Sequence, residues 1–280
     1  MSAATSTYPT VQANGLRFAY IEEGAGPLVL LIHGFPDTAH TWDLVRPAVA
    51  GAGYRAVSPF TRGYAPTEIP PKGPWDGDTL GRDILGIIEA LGETRAIVVG
   101  HDWGASGAYS AANQGPDKVE LLITSAIPHP GALTPSLKLL WAARHFLALR
   151  RKGAAAKLRA TDFAYIDELV QRWSPTWRVP AGETDRVKAA FREPGCVEAA
   201  IAYYAALGAT PPPFTRKRVK VPTVSIAGMD DMIAPEVFDR ASSWYTAGYR
   251  VARMPGGHFA HREHPEQFNA ILLDALARKG

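Results

Sequence analysis

One acidic residue lies where its carboxylate could act as a nucleophile. Asp102 is the centre of a Gly-x-Asp-x-Gly motif, with Gly100 and Gly104, that joins an apolar strand pattern to a helix pattern. Small flanking residues let the backbone bend sharply, so the central side chain projects from the turn. The free N–H groups at a helix start favour an ionised carboxylate. We therefore expect a charged Asp102 that is poised for attack; an ordinary helix N-cap is the alternative interpretation.

A nucleophile of this kind needs a base and an acid, and both are predicted after later strands, in the chain order nucleophile, acid, histidine. His258, in a Gly-Gly-His-Phe segment, is the candidate general base. Either of two adjacent aspartates, Asp230 and Asp231, could orient it. We favour Asp231, because the Gly-x-x-Asp turn that is usual at this point counts to it from Gly228.

A His-Gly-Phe-Pro segment, residues 33–36, follows an early apolar run. Beside a nucleophile turn, the N–H after such a glycine can pair with the N–H after the nucleophile to bind an oxyanion. This predicts an oxyanion hole formed by the N–H groups of Phe35 and Trp103. Pro36 has no N–H and can only shape the turn. His33 is interpreted as a structural, hydrogen-bonded histidine.

The elements that must position these residues alternate between strands and helices. Apolar, β-branched runs predict strands at 28–32, 54–58, 96–99, 121–125, 221–227 and 249–254, after an antiparallel edge strand at 16–22. Helix patterns lie between them, most clearly at 79–91, 104–114, 235–246 and 265–278. This alternation predicts an α/β fold with a mostly parallel central sheet and helices on both faces.

The alternation stops between about residues 128 and 214, where only helix patterns with Pro and Gly punctuation remain. These patterns lie at 136–149, 154–173, 183–191 and 196–207. An insertion of this size is best placed over the carboxyl edge of the sheet, where open α/β sheets bind ligands. The predicted domains are therefore a core of residues 1–129 and 215–280 and a helical cap (lid) of residues 130–214.

Composition argues against several other classes of protein. The 30 basic and 27 acidic side chains nearly balance, and the basic clusters at 150–159 and 216–220 lack the aromatics that accompany nucleic-acid binding. No apolar run approaches the ~20 residues of a membrane span, and no signal-peptide pattern begins the chain. The single Cys196 fits a reducing compartment. We expect a cytoplasmic protein with no nucleic-acid partner and no membrane partner.

Three histidines, His258, His261 and His264, recur at every third position. No accompanying carboxylate or cysteine pattern matches known zinc-ligand spacings. We therefore expect no metal and no cofactor. His261 and His264 are interpreted as part of the loop and first turn of the last helix.

Together, these motifs resemble the epoxide hydrolase branch of the α/β-hydrolase superfamily, to which haloalkane dehalogenases are closely related. The resemblance covers nearly the whole chain and implies an α/β-hydrolase fold with an inserted cap. Its matching pieces are residues 33–36 with Trp42, Arg-Gly-Tyr at 62–64, Gly-His-Asp-Trp-Gly at 100–104, Trp-Ser-Pro at 173–175 and Gly-His-Phe at 257–259. Ala65 and Thr67 stand where the family commonly has glycine and serine.

The resemblance implies a hydrolysis in two steps. Asp102 would attack a saturated carbon of an epoxide to form a covalent alkyl-enzyme ester, and water activated by His258 would hydrolyse that ester to a vicinal diol. Aspartate is a poor nucleophile for acyl transfer, and the chain contains no Gly-x-Ser-x-Gly motif, which argues against an esterase or lipase. The expected partners are a small apolar epoxide-like substrate and water, for a monomer or homodimer.

Ring opening also needs an acid for the emerging alkoxide, and family members usually use two cap tyrosines. Tyr204 occupies the position of the second tyrosine, although helix packing is the alternative reading of the Tyr203-Tyr204 pair. Residues 144–146 take the place of the first, so His145 is a candidate substitute donor. We predict Tyr204 as a catalytic residue and Tyr203 and His145 as substrate-binding residues.

Haloalkane dehalogenation is the main alternative activity, since it uses the same Asp–His–acid set and halide leaves without a proton. The indole N–H of Trp103 could donate to the halide, but such enzymes usually have Asn where this chain has Phe35. Haloacetate dehalogenases clamp a carboxylate with arginine after the nucleophile, which Trp103 and Ser106 cannot do. A non-catalytic binder of small molecules is a further alternative, against which the intact set of Asp102, His258 and an acid argues.

Overall fold

The computed structural model describes residues 8–134, 141, 143–207 and 212–278. Within these ranges, eight strands form one sheet in the order β1-β2-β4-β3-β5-β6-β7-β8. The strands are β1 (Thr10–Ala13), β2 (Leu16–Glu23), β3 (Leu28–Ile32), β4 (Arg55–Pro59), β5 (Ala96–His101), β6 (Val119–Ser125), β7 (Thr223–Gly228) and β8 (Tyr249–Met254). Neighbours from β4 to β8 pair in parallel, whereas β1 and β2 are antiparallel. The predicted α/β fold with a mostly parallel sheet is confirmed.

The edge of the sheet differs from the prediction. The strand at 16–22 is antiparallel as expected, but β1 lies outside it and forms the edge. The turn between β1 and β2 is Asn14-Gly15, and both residues have positive φ, 42° and 77°. Asn-Gly is the preferred dipeptide of such a tight hairpin, because both positions require this backbone conformation.

Helices cover both faces of the sheet, and further helices lie over the carboxyl ends of its strands. They are α1 (Arg46–Gly51), α2 (Gly77–Ala90), α3 (Trp103–Gln114), α4 (Arg144–Leu149), α5 (Ala154–Ala160), α6 (Ala164–Trp173), α7 (Asp185–Arg192), α8 (Cys196–Ala206), α9 (Pro235–Arg240), α10 (Ala260–Glu263) and α11 (Pro265–Arg278). The predicted helix at 154–173 is divided into two, since Asp162 and Phe163 have positive φ values of 46° and 60°. Of the predicted helix at 136–149, residues 136–140 and 142 lie outside the described residues, and the last part forms α4.

Alternating side chains of the buried strands divide between two cores. In β3, Leu30 and Ile32 pack with residues of α2 and α3, whereas Val29 and Leu31 pack with residues of α1 and α11. Successive side chains of a strand point to opposite faces, so a strand that is apolar at every position must be covered on both. The carboxyl ends of these strands remain the place where polar residues can meet.

The helices α4 to α8, called here the α4–α8 layer, form a third apolar cluster over that end of the sheet. The cluster includes Leu158, Leu169 and Val197 from the layer, together with Phe35 and Phe259 from loops that follow β3 and β8. The layer therefore closes over the predicted catalytic residues. No helix in the described ranges is long and apolar enough to cross a membrane.

Candidate active site

Asp102 lies at a sharp turn between β5 and α3. Its backbone has φ 53° and ψ −121°, and its side chain makes no capping hydrogen bond to the helix. A Cβ at Gly104 would lie 2.2 Å from the carbonyl oxygen of Ile32, and a Cβ at Gly100 would lie 2.5 Å from that of Gly104. Both glycines are therefore needed for the close approach of the main chain. The geometry matches the predicted strained turn and not the alternative N-cap.

The main chain after β3 contacts the carboxylate of Asp102. The N–H of Phe35 donates a 2.8 Å hydrogen bond to Asp102 Oδ1, and a Cβ at Gly34 would lie only 2.4 Å from the same oxygen. Trp103 begins α3, where the first N–H groups of a helix have no partner within the helix. The two residues predicted to form the oxyanion hole are thus both next to Asp102.

His258 lies between two carboxylates. Its Nδ1 is 3.2 Å from both oxygens of Asp231, and its Nε2 is 3.4 Å from Asp102 Oδ2. The second distance is a contact of charges, because Nε2 makes no well-formed hydrogen bond. Asp231 is also fixed by the N–H of Met232 at 2.6 Å. Asp230 is exposed, so the structure brings Asp231, and not its neighbour, to the histidine.

The charges of these groups are coupled. Burial raises the pKa of Asp102, but the close contact with His258, the charge of that histidine and the N–H of Phe35 outweigh it and leave the pKa below its usual value. Burial would lower the pKa of His258, whereas the carboxylates of Asp231 and Asp102 raise it to about 10. In the free protein at neutral pH, a positively charged His258 therefore lies between two negative carboxylates.

Tyr204 faces this site from α8. It is 1% exposed, and its ring packs edge-on against Phe35 and Trp103, with centroids 5.2 and 5.6 Å apart. Burial and the charge of Asp102 raise the pKa of Tyr204 well above its usual value, although a hydrogen bond with Trp103 opposes them. The hydroxyl therefore stays protonated and available as a donor.

The other two predicted substrate-binding residues have different surroundings. The hydroxyl of Tyr203 donates a 2.9 Å hydrogen bond to the carbonyl oxygen of Arg62, so only its ring faces the cavity. His145 is buried behind Tyr204, with its ring 5.6 Å from that of Tyr204 and 4.7 Å from that of Trp173. The cavity wall is formed by the next residue, Phe146. From the sequence we assigned this place to His145, whereas Phe146 lines the cavity in the structure.

A cavity of about 210 Å³ opens above Asp102, between the core and the α4–α8 layer. Its polar lining includes Ser106 and Asp76, and its walls are mostly apolar. These apolar lining residues include Trp75, Ile127, Leu133, Phe146, Leu207 and Phe214. Of the lining residues that the structure describes, none is Lys or Arg. Sequence reasoning missed the walls, because they come from segments far apart in the chain.

Two further histidines, His33 and His261, have structural surroundings. Nε2 of His33 accepts from the N–H of Thr61 at 3.0 Å, so its Nδ1–H donates to Gly34 O at 2.9 Å. Burial lowers the pKa of His33 to about 4, so this residue is neutral. His261 is bonded to Thr41 at 2.6 Å. Across the described ranges, no group of His, Cys, Asp and Glu side chains is arranged to hold a metal ion.

Comparisons with known proteins extend these observations. A family model described as the α/β hydrolase fold matches residues 27–265. An AB hydrolase superfamily protein of Bacillus subtilis, YfhM, is 29% identical over 276 residues, which cover 95% of this chain and 96% of that protein. Epoxide hydrolase A of Mycobacterium tuberculosis is 28% identical over 309 residues, with 95% and 96% covered.

A shorter match and a solved structure agree with these relatives. An epoxide hydrolase of Caballeronia sordidicola is 41% identical over 120 residues, or 42% of this chain and 36% of that protein. The crystal structure of a Bacillus megaterium epoxide hydrolase with an inhibitor superposes with a TM-score of 0.85 at 24% identity, covering 96% of this chain and all of that one. The resemblance to epoxide hydrolases that the motifs indicated is confirmed, and the structural likeness confirms the fold.

Proposed function

Since this chain belongs to the α/β-hydrolase fold family, we propose that it hydrolyses epoxides to vicinal diols through a covalent ester on Asp102. One observation carries the proposal: the carboxylate of Asp102 lies at the base of an apolar cavity that also contains Tyr204. A carboxylate and a protonated phenol in one mostly apolar pocket supply the nucleophile and the acid that ring opening requires.

In the first step, an oxygen of Asp102 attacks a ring carbon of the epoxide, and the bond between that carbon and the ring oxygen breaks. The emerging alkoxide receives a hydrogen bond and then the proton from the hydroxyl of Tyr204. The raised pKa of Tyr204 keeps this proton in place until a strong base appears, and an alkoxide is such a base. Positively charged His258 keeps Asp102 ionised before the attack.

Ester formation prepares the second step. It neutralises Asp102 and removes one of the two carboxylates that raise the pKa of His258. The pKa of His258 then falls, so its proton can pass through solvent to the Tyr204 phenolate left by the first step. Neutral His258 then accepts a proton from water. Hydroxide attacks the ester carbonyl, and the N–H groups of Phe35 and Trp103 stabilise the oxyanion. The bond between the carbonyl carbon and the alkyl oxygen then breaks, and the proton of the added hydroxyl passes to the departing oxygen. This restores the Asp102 carboxylate and releases the diol, while His258 is again protonated.

The cavity indicates the class of substrate. Its volume of about 210 Å³ and its apolar walls suit a small, neutral, apolar epoxide. A substrate carboxylate would lie beside the carboxyl groups of Asp102 and Asp76, and no Lys or Arg is among the described residues that line the cavity. This argues against haloacetates. The α4–α8 layer serves as the cap in this proposal, with the boundaries 130–214 expected from the sequence.

The proposal is tested with two substrates of similar size. Purified protein is incubated with a styrene-oxide-like epoxide and with a short bromoalkane, and diol and released bromide are measured. We expect diol from the epoxide. Bromide without diol would instead support carbon–halogen hydrolysis by the same residues. A protein that binds the epoxide and releases neither product would be a non-catalytic binder. The Asp102→Ala variant serves as the inactive control.

A further inference from the structure

The loop that carries His258 is bonded directly to the α4–α8 layer. The N–H of His258 donates to the carbonyl oxygen of Trp173 at 2.9 Å. The next N–H, of Phe259, donates to the hydroxyl oxygen of Ser174 at 3.0 Å. Ser174 is fully buried, so its hydroxyl has no solvent to replace this contact. The backbone of the candidate base is thus held by two successive residues of the layer.

The end of α6 is shaped to make these contacts. The residue before a proline is disfavoured in helical conformation, and Ser174, before Pro175, has φ −124° and ψ 74°. The helix therefore ends at Trp173, and its last carbonyl groups are free to accept hydrogen bonds from outside the helix. In the sequence analysis, the Trp-Ser-Pro segment at residues 173–175 was only a match to the family. In the structure, it ends α6 so that Trp173 and Ser174 can accept hydrogen bonds from the loop of His258.

The loop of His258 also lies very close to the end of α6, in addition to its hydrogen bonds with that helix end. A Cβ at Gly257 would lie 2.5 Å from both Ser174 Cα and Trp173 O. The N–H of Gly257 donates to Glu263 Oε2 at 2.9 Å, and the other oxygen of Glu263 accepts from the hydroxyl of Thr176 at 2.8 Å. The three N–H groups of residues 257–259 are therefore all committed, two to the layer directly and one through Glu263.

These anchors bear on the position of the imidazole ring. Asp231 contacts Nδ1 with both oxygens at 3.2 Å, a distance at the long end of the normal range, so the carboxylate alone leaves the ring room to tilt. The backbone anchors therefore help to set where Nε2 lies relative to Asp102. A displacement of about 1 Å at a reacting group can lower a rate on the order of 100-fold.

We propose that Ser174 is a positioning residue: through its hydrogen bond with the N–H of Phe259, it fixes His258 for the second step. The position of the α4–α8 layer is thereby coupled to the rate of ester hydrolysis. This inference rests on the proposed function. The first step uses Asp102 and Tyr204, which Ser174 does not contact in the hydrogen bonds of the structure. Ser174 therefore acts mainly on the second step. The first step needs only the charge of His258 near Asp102, and that attraction changes gradually with distance.

The test measures the two steps separately in the Ser174→Ala variant. Protein is mixed with a styrene-oxide-like epoxide, and the intact mass is followed over time, because the ester adds the full mass of the epoxide. We expect ester formation within about twofold of the unmodified protein and ester hydrolysis about tenfold slower, as for the loss of one buried hydrogen bond. The ester should accumulate. Ser174→Thr, which keeps the hydroxyl oxygen, should restore hydrolysis at least in part.

A matched control separates positioning from stability. Ser225 is also fully buried, and its hydroxyl is bonded to Thr124 Oγ1 at 2.8 Å in the sheet. The Ser225→Ala variant should lose comparable stability without changing the ratio of the two rates. If Ser174→Ala lowers both rates equally, or neither, the inference is wrong.

A second variant covers the case in which Ser174→Ala does not fold. Thr176 is exposed and holds Glu263, which binds the same loop. Thr176→Val should slow ester hydrolysis by a smaller factor and leave ester formation unchanged; hydrolysis at the unmodified rate would overturn the inference. If the unmodified protein forms no ester, the proposed function itself is wrong. If it forms and hydrolyses the ester, but the ratio of these two rates is unchanged in the variants, only the role of Ser174 is refuted.

Discussion

The Asp102→Asn substitution should lower the pKa of His258. An amide has nearly the shape of the carboxylate but no charge, so the variant imitates the neutral ester. In the free protein, Nε2 of His258 is 3.4 Å from Asp102 Oδ2, and the pKa of His258 is about 10. Removing the charge removes the part of this rise that comes from Asp102 and leaves the part from Asp231.

The distance fixes the size of the effect. Two unit charges at 3.4 Å attract by about 5 kcal/mol at an effective dielectric constant of about 20 and by about 1.2 kcal/mol in bulk water. At about 1.36 kcal/mol per pKa unit, this corresponds to a fall of about 3.6 units at most and about 1 unit at least. Either fall brings the pKa of His258 closer to neutral pH, where the neutral imidazole can serve as a base.

The assay is an NMR titration of ring nitrogens in protein labelled with nitrogen-15 histidine. The chain contains 8 histidines, and the signal of His258 is assigned by its loss in His258→Gln. Asp230→Asn is the control, since it removes an exposed charge next to Asp231 and should leave the pKa nearly unchanged. The intact mass must show that the introduced amide has not deamidated back to aspartate. An unchanged pKa in Asp102→Asn, or an equal fall in the control, would refute the coupling of the two steps.

Three further substitutions test separate parts of the account. Tyr204→Phe should slow epoxide opening about 100-fold and bromoalkane turnover far less, because bromide needs no proton; equal effects would mean that the hydroxyl is not the acid. Gly34→Ala would place a Cβ 2.4 Å from Asp102 Oδ1 and should lower the rate of ester formation about 100-fold, measured by intact mass; a normal rate would contradict the tight approach. Asp83→Asn leaves the buried Arg62, which it pairs with at 2.6 Å, without its counter-charge. It should lower the free energy of unfolding by about 3 kcal/mol in urea, and a loss below about 1 kcal/mol would argue against the buried pair.

Local signals in the sequence were enough to predict the centre of the fold. Residues 28–32 and 96–101 are apolar at nearly every position, as strands covered on both faces must be, and both proved to be central strands. The turn at Asp102 could also be predicted, since Gly100 and Gly104 flank an acidic residue at the point where a strand pattern changes to a helix pattern. The four-residue strand β1 was missed because it is too short for a clear alternation, although Asn14-Gly15 marked its turn.

A residue of the candidate site could be predicted only where it lies at a fixed number of positions from a recognisable motif. The count from Gly228 favoured Asp231 over Asp230, and burial in the structure separates the two. Side chains that meet through tertiary packing gave no comparable signal. The resemblance to the family placed residues 144–146 at the site and led us to predict His145, but in the structure Phe146 lines the cavity and His145 packs behind Tyr204.

The link from Ser174 to the loop of His258 was also beyond the sequence. The two bonded residues, Ser174 and Phe259, are 85 positions apart, and a serine before a proline is common in ordinary loops. Only the folded position of α6 shows that this hydroxyl accepts a buried N–H. Such long-range contacts to backbone groups leave no periodic pattern, so they must be read from a structure.

The claim that Asp102 forms a covalent ester is tested most directly by a single turnover in water enriched in oxygen-18. Protein is used in excess over a styrene-oxide-like epoxide, and the peptide that contains Asp102 and the diol are analysed by mass spectrometry. Water that attacks the ester carbonyl leaves its oxygen on the carboxylate, so Asp102 should gain heavy oxygen and the diol should contain none. Heavy oxygen in the diol and an unlabelled Asp102 would show that water attacks the epoxide directly and would contradict the account.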